Sequence, residues 1–321
     1  MFISILLIIV GFVLLIKGAD YLVDGASNIA KKFHIPEIII GLTIISIGTS
    51  MPELFVSITS AIDGHSDMAI GNVIGSNIAN LFLILGLSAI IKAIPFKRET
   101  RLIEIPLCFI ISVIFFIICV MGQDVSRADS AILISIFIAF IIYTIVMAKK
   151  GEEFDKEENN EIVEEKEEDN KLSTLKDVIA IILGIVALKF GGDLAVDNAV
   201  KVATILGLSE KIISVTILAI GTSLPELVTS VSAAAKGKSD IAIGNVLGSN
   251  IFNMLLIIGV SALIKPIVYN MSYNKDMIIL LVGTLVLALF PVIPPKNKMS
   301  RMNGIIYVLM YAGYMVTLFF V

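Results

Sequence analysis

The chain has 321 residues, of which 57% are hydrophobic and 16% charged, with a net charge of −4 and a mean hydropathy of +0.97. Soluble domains carry about 25% charged residues, so this composition excludes an ordinary soluble protein and indicates one embedded in lipid. Five stretches carry no charge at all, namely residues 68–91, 130–148, 241–264, 278–295 and 302–321. A membrane helix needs about 17–25 apolar residues, so each stretch is long enough to span a bilayer.

In chain order, the apolar stretches predict ten membrane-spanning helices. They cover residues 2–30, 36–62, 68–91, 102–122, 128–148, 176–200, 210–235, 241–264, 277–295 and 302–321. The apolar N-terminus is interpreted as the first of these helices and not as a signal peptide, because no A-x-A-like cleavage site follows it. The predicted fold class is therefore an all-α polytopic membrane protein.

An acidic segment interrupts the helices between the fifth and the sixth. Residues 152–169 hold eleven acidic residues against two lysines: Glu152, Glu153, Asp155, Glu157, Glu158, Glu161, Glu164, Glu165, Glu167, Glu168 and Asp169. Such a run cannot bury enough apolar surface to fold, so residues 151–175 are expected to form a solvated linker. A regulatory Ca²⁺ sensor is the alternative, but the spacing of a D-x-D-x-D-G loop is missing.

An internal repeat determines the architecture. Shifted by 173 residues, the segment GTSMPELFVSITSAIDGHSDMAIGNVIGSNIAN at 48–80 overlays GTSLPELVTSVSAAAKGKSDIAIGNVLGSNIFN at 221–253, with 21 identities in 33 positions. Upstream, GADYLVDGA at 18–26 matches GGDLAVDNA at 191–199. We therefore divide the chain into two five-helix repeats, at 1–150 and 176–321.

An odd number of helices in each repeat has a topological consequence. The second copy must enter the membrane from the opposite side, which makes the two copies an inverted repeat. If the loop between the first two helices is cytoplasmic, cytoplasmic loops hold eleven Lys and Arg residues and outer loops five. Positive charges favour the cytoplasmic side. We therefore expect a multi-pass protein of the cell membrane, with both termini outside and the acidic linker inside.

Each repeat places one carboxylate inside a predicted membrane helix. Glu53 lies near the middle of 36–62 and Glu226 near the middle of 210–235. A charge at that depth costs at least about 2.5 kcal/mol and indicates a functional site. Pro52 and Pro225 precede the two glutamates, and proline breaks a helix. Broken helices at corresponding places in two halves are typical of a transport site.

Oxygen-bearing side chains recur at helical spacing near both glutamates in the sequence. Residues at i, i+4 and i+8 share one helical face, and four such rows occur: Thr49, Glu53 and Ser57; Thr222, Glu226 and Ser230; Asn72, Ser76 and Asn80; and Asn245, Ser249 and Asn253. Oxygen ligands suit hard cations such as Ca²⁺, and Na⁺ is a hard cation of similar size. The lack of inward His or Cys argues against Zn²⁺ or Cu⁺.

With these motifs, the chain resembles the sodium/calcium exchanger branch of the cation/calcium exchanger superfamily. The two alpha repeats of that family match residues 41–90 and 214–263, and its ten-helix layout covers the whole chain. The resemblance implies two inverted five-helix repeats and a cluster of four cation sites between the second, third, seventh and eighth helices. It also implies a Na⁺/Ca²⁺ antiporter that works by alternating access.

The resemblance implies a role for each matching position. Glu53 and Glu226 would be the central Ca²⁺ carboxylates, completed by the carbonyls of Thr49 and Thr222, and Asn80 and Asn253 would close the centre. The flanking Na⁺ sites would be formed by Ser50, Ser76 and the Ser46 carbonyl, and by Ser223, Ser249 and the Ala219 carbonyl. Asn253 replaces an acid found in some potassium-dependent relatives, which argues against K⁺ dependence.

Other functions stay open at this point. Cation/proton exchangers of the superfamily place a second carboxylate in a GNxxE pattern, whereas this chain has GNVIGSN and GNVLGSN. Ca²⁺/H⁺ exchange is therefore the alternative, since the two glutamates could still bind protons. A membrane-embedded aspartyl protease would need a motif such as GxGD, which is missing, and a channel is a further alternative. We expect no enzyme activity, no cofactor beyond the transported ions, no nucleic acid and no obligatory protein partner.

Overall fold

A computed structural model describes residues 1–158, 167–207, 219–294 and 296–319, which are mostly helical. We number the helices in chain order: α1 Phe2–Lys32, α2 Glu37–Thr49, α3 Met51–Asp63, α4 Ser66–Ile91, α5 Thr100–Gly122, α6 Arg127–Glu158, α7 Glu167–Ile205, α8 Ala219–Gly221, α9 Leu224–Ala235, α10 Ser239–Ile264, α11 Asn274–Leu289 and α12 Arg301–Phe319. Wider π-helical turns interrupt several of them, at Gly41–Ile45, Ala79–Ile84, Thr100–Glu104 and Asn253–Ile257.

Most of the predicted spans are confirmed as helices that could cross a membrane. In the described part of the chain, seven helices are long and apolar enough, and α2 with α3 forms an eighth span that is bent by 50°. The seven are α1, α4, α5, α6, α7, α10 and α11. The predicted span 210–235 is described only from residue 219 onward, as α8 and α9, and α12 occupies most of the predicted last span.

The helix breaks fall where the two GTS-x-PE motifs predict them. Ser50 leaves the helical conformation at φ −84° and ψ 10°, and Ser223 does so at φ −87° and ψ 7°. Pro52 and Pro225 are then the second residues of α3 and α9. A proline is tolerated in the first turn of a helix because the amide protons there have no intrahelical acceptor. Each motif therefore ends one helix and starts another.

The acidic segment is partly helical. α6 continues to Glu158, and α7 begins at Glu167. Glu and Lys are good helix formers, and extending an existing helix costs less than nucleating a new one, so apolar helices on both sides propagate into the charged run. The middle of the predicted linker, residues 159–166, lies outside the described residues.

The turns between helices gather at two ends of the bundle, which we name after the glycines that make two of them. At the Gly64 end, strand β2 (Asp124–Val125) pairs with β3 (Ile267–Val268), and Lys265 Nζ donates to the Ile62 carbonyl. At the Gly237 end, β1 (Ile94–Pro95) pairs with β4 (Lys298–Met299). The described connections thus alternate between the two ends along the chain.

The core of the bundle is formed by α4 and α10. In the most apolar 18 residues of α4 and α10, 72% and 78% of the residues are buried. In the other helices that are long and apolar enough to cross a membrane, the buried share is 22–33%. Gly41 and Gly244 bring α2 and α10 so close that a Cβ on either would lie 3.0 Å from the other glycine's Cα. Small residues permit such close packing between membrane helices.

The two long helices α1 and α7 form an antiparallel pair at the side of this core. Gly11 faces the Gly191 carbonyl, and Gly18 faces the Gly184 carbonyl, so the contact partners run in opposite directions along the two helices. A Cβ on either glycine would approach backbone atoms to within 2.9 Å. The pair is therefore held by direct backbone packing.

Candidate metal-ion site

Two glutamates lie at the centre of the bundle, each three residues after a helix break. Glu53 and Glu226 are 1% exposed, and both lie in the first turn of their helices, α3 and α9. Each accepts a hydrogen bond from the other repeat: Ser50 Oγ donates to Glu226 Oε1 at 2.8 Å, and Ser223 Oγ donates to Glu53 Oε1 at 3.3 Å. The two breaks thus meet, as the duplicated motifs predict.

Four buried carboxylate and amide oxygens at this centre have no hydrogen-bond partner. They are Glu53 Oε2, Glu226 Oε2, Asn80 Oδ1 and Asn253 Oδ1. The two asparagines are 1% and 0% exposed. A buried polar atom without a partner costs free energy, and a buried charge costs more unless a cation compensates it. All four atoms are acceptors, so this centre suits a positively charged ligand.

Asn77 and Asn250 orient the two central amides. Asn80 Nδ2 donates to Asn250 Oδ1 at 3.1 Å, and Asn253 Nδ2 donates to Asn77 Oδ1 at 2.9 Å. Each orienting amide also donates to the other's backbone carbonyl, at 3.4 and 3.3 Å. With both Nδ2 groups engaged, the oxygens of Asn80 and Asn253 are left for a ligand. Supporting residues of this kind position metal ligands.

Asn77 and Asn250 were not among the predicted ligands. A signal was present, because both end the repeated GSN triplet in a charge-free and mostly apolar stretch. A buried amide in such a stretch needs partners, and its duplication at the offset of 173 residues makes the partner in the other repeat a natural candidate.

The asparagines that begin the predicted rows hold neighbouring helices together. Asn72 Nδ2 donates to Ser57 Oγ at 3.0 Å, and Asn245 Nδ2 donates to Ser230 Oγ at 2.9 Å. These bonds join α3 to α4 and α9 to α10. The predicted rows therefore contain both structural residues, at one end, and candidate ligands, at the other.

Some of the remaining predicted ligands have contacts around the same centre. Thr49 Oγ1 lies 3.2 Å from Asn245 Oδ1 and 3.4 Å from the Ser46 carbonyl. Ser223 Oγ is 3.2 Å from Ser76 Oγ. Ser249 Oγ is buried without a partner, whereas Thr222 is partly exposed and Ala219 begins α8.

A cavity of about 780 Å³ leads toward this centre from the Gly64 end. One wall is formed by α3 and α4 and the opposite wall by α7, and Ser76 and Thr222 line it next to the glutamates. Asp67, Asp193, Asp197 and Lys189 also line it, and Lys189 Nζ lies 2.7 Å from Asp193. The centre is therefore reached through a wide opening with charged residues from one end of the bundle.

A smaller cavity of about 170 Å³ lies beside the start of α5. It contains Glu104, which is 1% exposed and whose Oε2 has no partner. The equivalent position of the second repeat is Met277, so this carboxyl has no symmetric counterpart in the sequence. Glu104 is therefore a buried acid that lies outside the centre formed by the two glutamates.

The donor set at the centre has a defined chemical character. Its atoms are carboxylate, amide, hydroxyl and carbonyl oxygens, and the described residues contain no cluster of three or more His, Cys, Asp or Glu that could hold a metal. Zn²⁺ and Cu⁺ prefer nitrogen or sulfur ligands. A site with two carboxylates and otherwise neutral oxygens suits a hard cation that binds with moderate affinity.

Comparison with known proteins agrees with this chemistry. The family described as sodium/calcium exchanger protein matches residues 3–146 and again residues 176–320. The chain is 35% identical over 321 residues to the putative antiporter CaxA of Alkalimonas amylolytica, with 99% of each chain covered. It is 33% identical to the sodium/calcium exchanger MaX1 of Methanosarcina acetivorans, again with 99% of each covered.

Solved structures agree as well. The fold superimposes on the sodium-calcium exchanger NCX_Mj with a TM-score of 0.84 at 32% sequence identity, and 98% of each chain is covered. The family consists of membrane transporters and not of enzymes. On the double family match, the two relatives and this structural likeness, the chain belongs to the sodium/calcium exchanger family of the cation/calcium exchanger superfamily, and is a multi-pass membrane protein.

Proposed function

We propose that the chain is a Na⁺/Ca²⁺ antiporter whose two ions bind at the centre between the repeats. The observation that carries this proposal is the set of four unpartnered acceptors on Glu53, Glu226, Asn80 and Asn253. Two carboxylates supply a charge of −2, which one Ca²⁺ neutralises. MaX1 and NCX_Mj are both named sodium/calcium exchangers, which supports the same ion pair here.

In this proposal, Ca²⁺ binds to the two glutamates, with the backbone carbonyls of Thr49 and Thr222 completing its shell. Asn80 and Asn253 close the centre. Na⁺ occupies flanking sites formed by two groups of oxygens: Ser50, Ser76 and the Ser46 carbonyl on one side, and Ser223, Ser249 and the Ala219 carbonyl on the other. The hydrogen bonds from the two serines to the glutamates support shared ligands.

Shared ligands provide the coupling. When Na⁺ and Ca²⁺ need the same carboxylate oxygens, binding of one weakens binding of the other. Each ion set then shifts the equilibrium between states open to either end through its different affinity for them. The cavity at the Gly64 end is the access route of one such state. No further cofactor or protein partner is needed for this cycle.

We further propose ten membrane-spanning helices arranged as two inverted five-helix repeats. The separate family matches to 3–146 and 176–320 support the two repeats. The alternation of connections between the two ends supports an odd number of crossings in each. The excess of Lys and Arg at the Gly237 end supports a cytoplasmic location for that end and the acidic linker, with both termini outside.

Ca²⁺/H⁺ exchange is the second candidate. Two buried carboxylates with free oxygens could carry protons when no metal ion is bound. Each repeat has only one such glutamate at the centre, however, so proton and metal would have to compete for the same two groups. This favours Na⁺ as the counter-ion.

Transport by the purified protein in liposomes tests the proposal. Vesicles loaded with Na⁺, K⁺ or H⁺ are diluted into radioactive Ca²⁺ without that ion, and protein-free vesicles serve as the control. We expect uphill Ca²⁺ accumulation only with Na⁺ inside. Accumulation driven by protons alone would replace Na⁺/Ca²⁺ exchange with Ca²⁺/H⁺ exchange, and uptake that never exceeds the external concentration would indicate a channel.

A further inference from the structure

The turns at Gly64 and Gly237 occupy equivalent positions of the two repeats, 173 residues apart, and we call such pairs repeat mates. They have the same backbone shape but different charges. Both glycines have a left-handed backbone, at φ +85° and +80°. In the second repeat the turn reads Lys236-Gly237-Lys238, whereas in the first it reads Asp63-Gly64-His65. Two lysines at one end of the bundle thus correspond to an acid and a histidine at the other.

At the Gly237 end these lysines bind α1. Lys236 Nζ lies 2.8 Å from Asp20 and 2.8 Å from Asp24, and Lys238 Nζ lies 2.9 Å from Asp24. Ser232 Oγ adds a hydrogen bond to Asp20 at 3.1 Å. Asp20 and Asp24 are four residues apart and share one face of α1. Four charged groups therefore connect α1 to the turn between α9 and α10.

Burial lowers the pKa of Lys236, but its hydrogen bonds and charge interactions with Asp20 and Asp24 outweigh this effect and leave the pKa above its ordinary value. The ammonium group is therefore charged at neutral pH. The ion pairs therefore keep their positive partner across the physiological pH range.

At the Gly64 end the described residues show no such contact between α7 and the turn. Asp193 and Asp197, the mates of Asp20 and Asp24, line the open cavity instead, and Asp193 pairs with Lys189 of its own helix at 2.7 Å. Thr59, the mate of Ser232, donates to the Phe55 carbonyl of its own helix at 2.8 Å. Bringing α7 against this turn would place Asp197, which forms no ion pair in the described part of the chain, beside Asp63, and like charges at short range repel each other.

A neighbouring ion pair follows the same rule. Lys97 Nζ lies 2.6 Å from Asp240 at the Gly237 end, between the start of α10 and the segment before α5. Its repeat mates are Asn270 and Asp67, which cannot form an ion pair. All of these charge differences favour closure at the Gly237 end and opening at the Gly64 end.

We propose that Asp20, Asp24, Lys236 and Lys238 form a lysine latch, which holds the Gly237 end closed and thereby makes opening at the Gly64 end the resting state. The proposal rests on the alternating access proposed above, in that the latch must open once in every cycle. Three exposed ion pairs of ordinary strength together shift the balance of states by about tenfold.

Cysteine labelling of the purified protein in detergent tests the latch without any transport. Val56 lines the cavity at the Gly64 end, and its repeat mate Thr229 is 0% exposed. In a background with the two buried cysteines, Cys108 and Cys119, replaced by Ala, V56C and T229C report the opening of the two ends to a water-soluble maleimide. Neither residue is a proposed ion ligand.

The expected results separate the latch from its alternatives. K236Q/K238Q should raise the labelling rate of T229C by about tenfold, and the swap D20K/D24K with K236D/K238D should restore the low rate. The matched control K296Q/K298Q removes the same charge from the same end and should change nothing. An unchanged melting temperature in the same detergent shows that each variant is folded.

Installing lysines at the other turn is the converse experiment. D63K/H65K copies the latch to the Gly64 end and should slow labelling of V56C. An unchanged T229C rate in K236Q/K238Q, or a swap variant that labels as fast as K236Q/K238Q, would overturn the proposal. Because labelling needs neither Na⁺ nor Ca²⁺, this result is independent of which ions the protein exchanges.

Discussion

The two repeats are equivalent in the middle of the bundle and different at its two ends. In the middle, the two copies exchange equivalent contacts: each glutamate accepts from the serine of the other repeat, and each central asparagine donates to the orienting asparagine of the other. At the ends, equivalent turns carry lysines in one copy and an aspartate with a histidine in the other.

This difference shows which property depends on each region. A shared ion site needs ligands from both repeats in the same geometry, so the two copies keep the same residues there. A preference for one open state needs the two ends to differ in energy, since a symmetric protein would favour neither.

The largest effect is expected from the central carboxylates. E53Q and E226Q each remove one negative charge and one anionic ligand from the centre, and we expect each to reduce Na⁺-driven Ca²⁺ uptake in liposomes by at least about 100-fold. Because the two glutamates have equivalent surroundings, the two losses should be similar.

The matched control is E104Q, which makes the same change on a buried carboxyl outside the centre. It should retain uptake close to that of the unmodified protein. Normal uptake in either E53Q or E226Q would remove that glutamate from the proposed site.

A smaller effect is expected from two repeat-mate glycines. A Cβ on Gly248 would lie 2.6 Å from the Leu42 carbonyl and 2.7 Å from its Cα, whereas no atom of the described residues lies within 4 Å of a Cβ on Gly75. We therefore expect G248A to lower the free energy of unfolding by about 1–3 kcal/mol and G75A to change it much less.

Thermal unfolding of the two variants in the same detergent measures this difference. It sharpens the comparison because the two positions have the same residue in the same motif and differ only in their surroundings. Equal melting temperatures would show that α4 and α10 are packed alike, contrary to the observed cavity beside Gly75.

The smallest effect is expected from the orienting amides. N77A and N250A leave Asn253 or Asn80 without the acceptor for its Nδ2 group. The freed amide can rotate its oxygen out of the centre, and loss of such support typically lowers metal affinity by about tenfold or more. Ca²⁺ binding measured by calorimetry checks this.

N72A provides the control for these variants. Asn72 holds α3 to α4 through Ser57 Oγ and the Glu53 backbone carbonyl, and it contacts neither the Glu53 carboxylate nor the central amides in the described bonds. It should lower thermal stability more than Ca²⁺ affinity, whereas N77A and N250A should do the reverse. If all three lost affinity equally, the amides would have no specific orienting role.

Much of this organisation could be predicted from the sequence. Charge-free stretches mark helices because lipid tolerates few charges, and the prolines beside Glu53 and Glu226 mark the breaks because proline ends a helix. The duplication of these motifs predicts that they meet. These features are local or repeated, so they can be read along the chain.

Other features depend on contacts that the sequence does not specify. The pairing of Asn80 with Asn250 and of Lys236 with Asp24 joins residues 170 and 212 positions apart, and only the packed bundle brings them together. The helical ends of the acidic segment were not predicted either, because the charge run indicates solvation but not whether neighbouring helices extend into it.

Equilibrium Ca²⁺ binding to the purified protein at increasing Na⁺ concentration tests the central claim most directly. If both ions use the oxygens of Glu53 and Glu226, Na⁺ should weaken the apparent affinity for Ca²⁺ while the number of Ca²⁺ sites stays constant. The weakening should be steeper than proportional to the Na⁺ concentration, because more than one Na⁺ displaces each Ca²⁺. A Ca²⁺ affinity that does not change with Na⁺ would contradict a shared site.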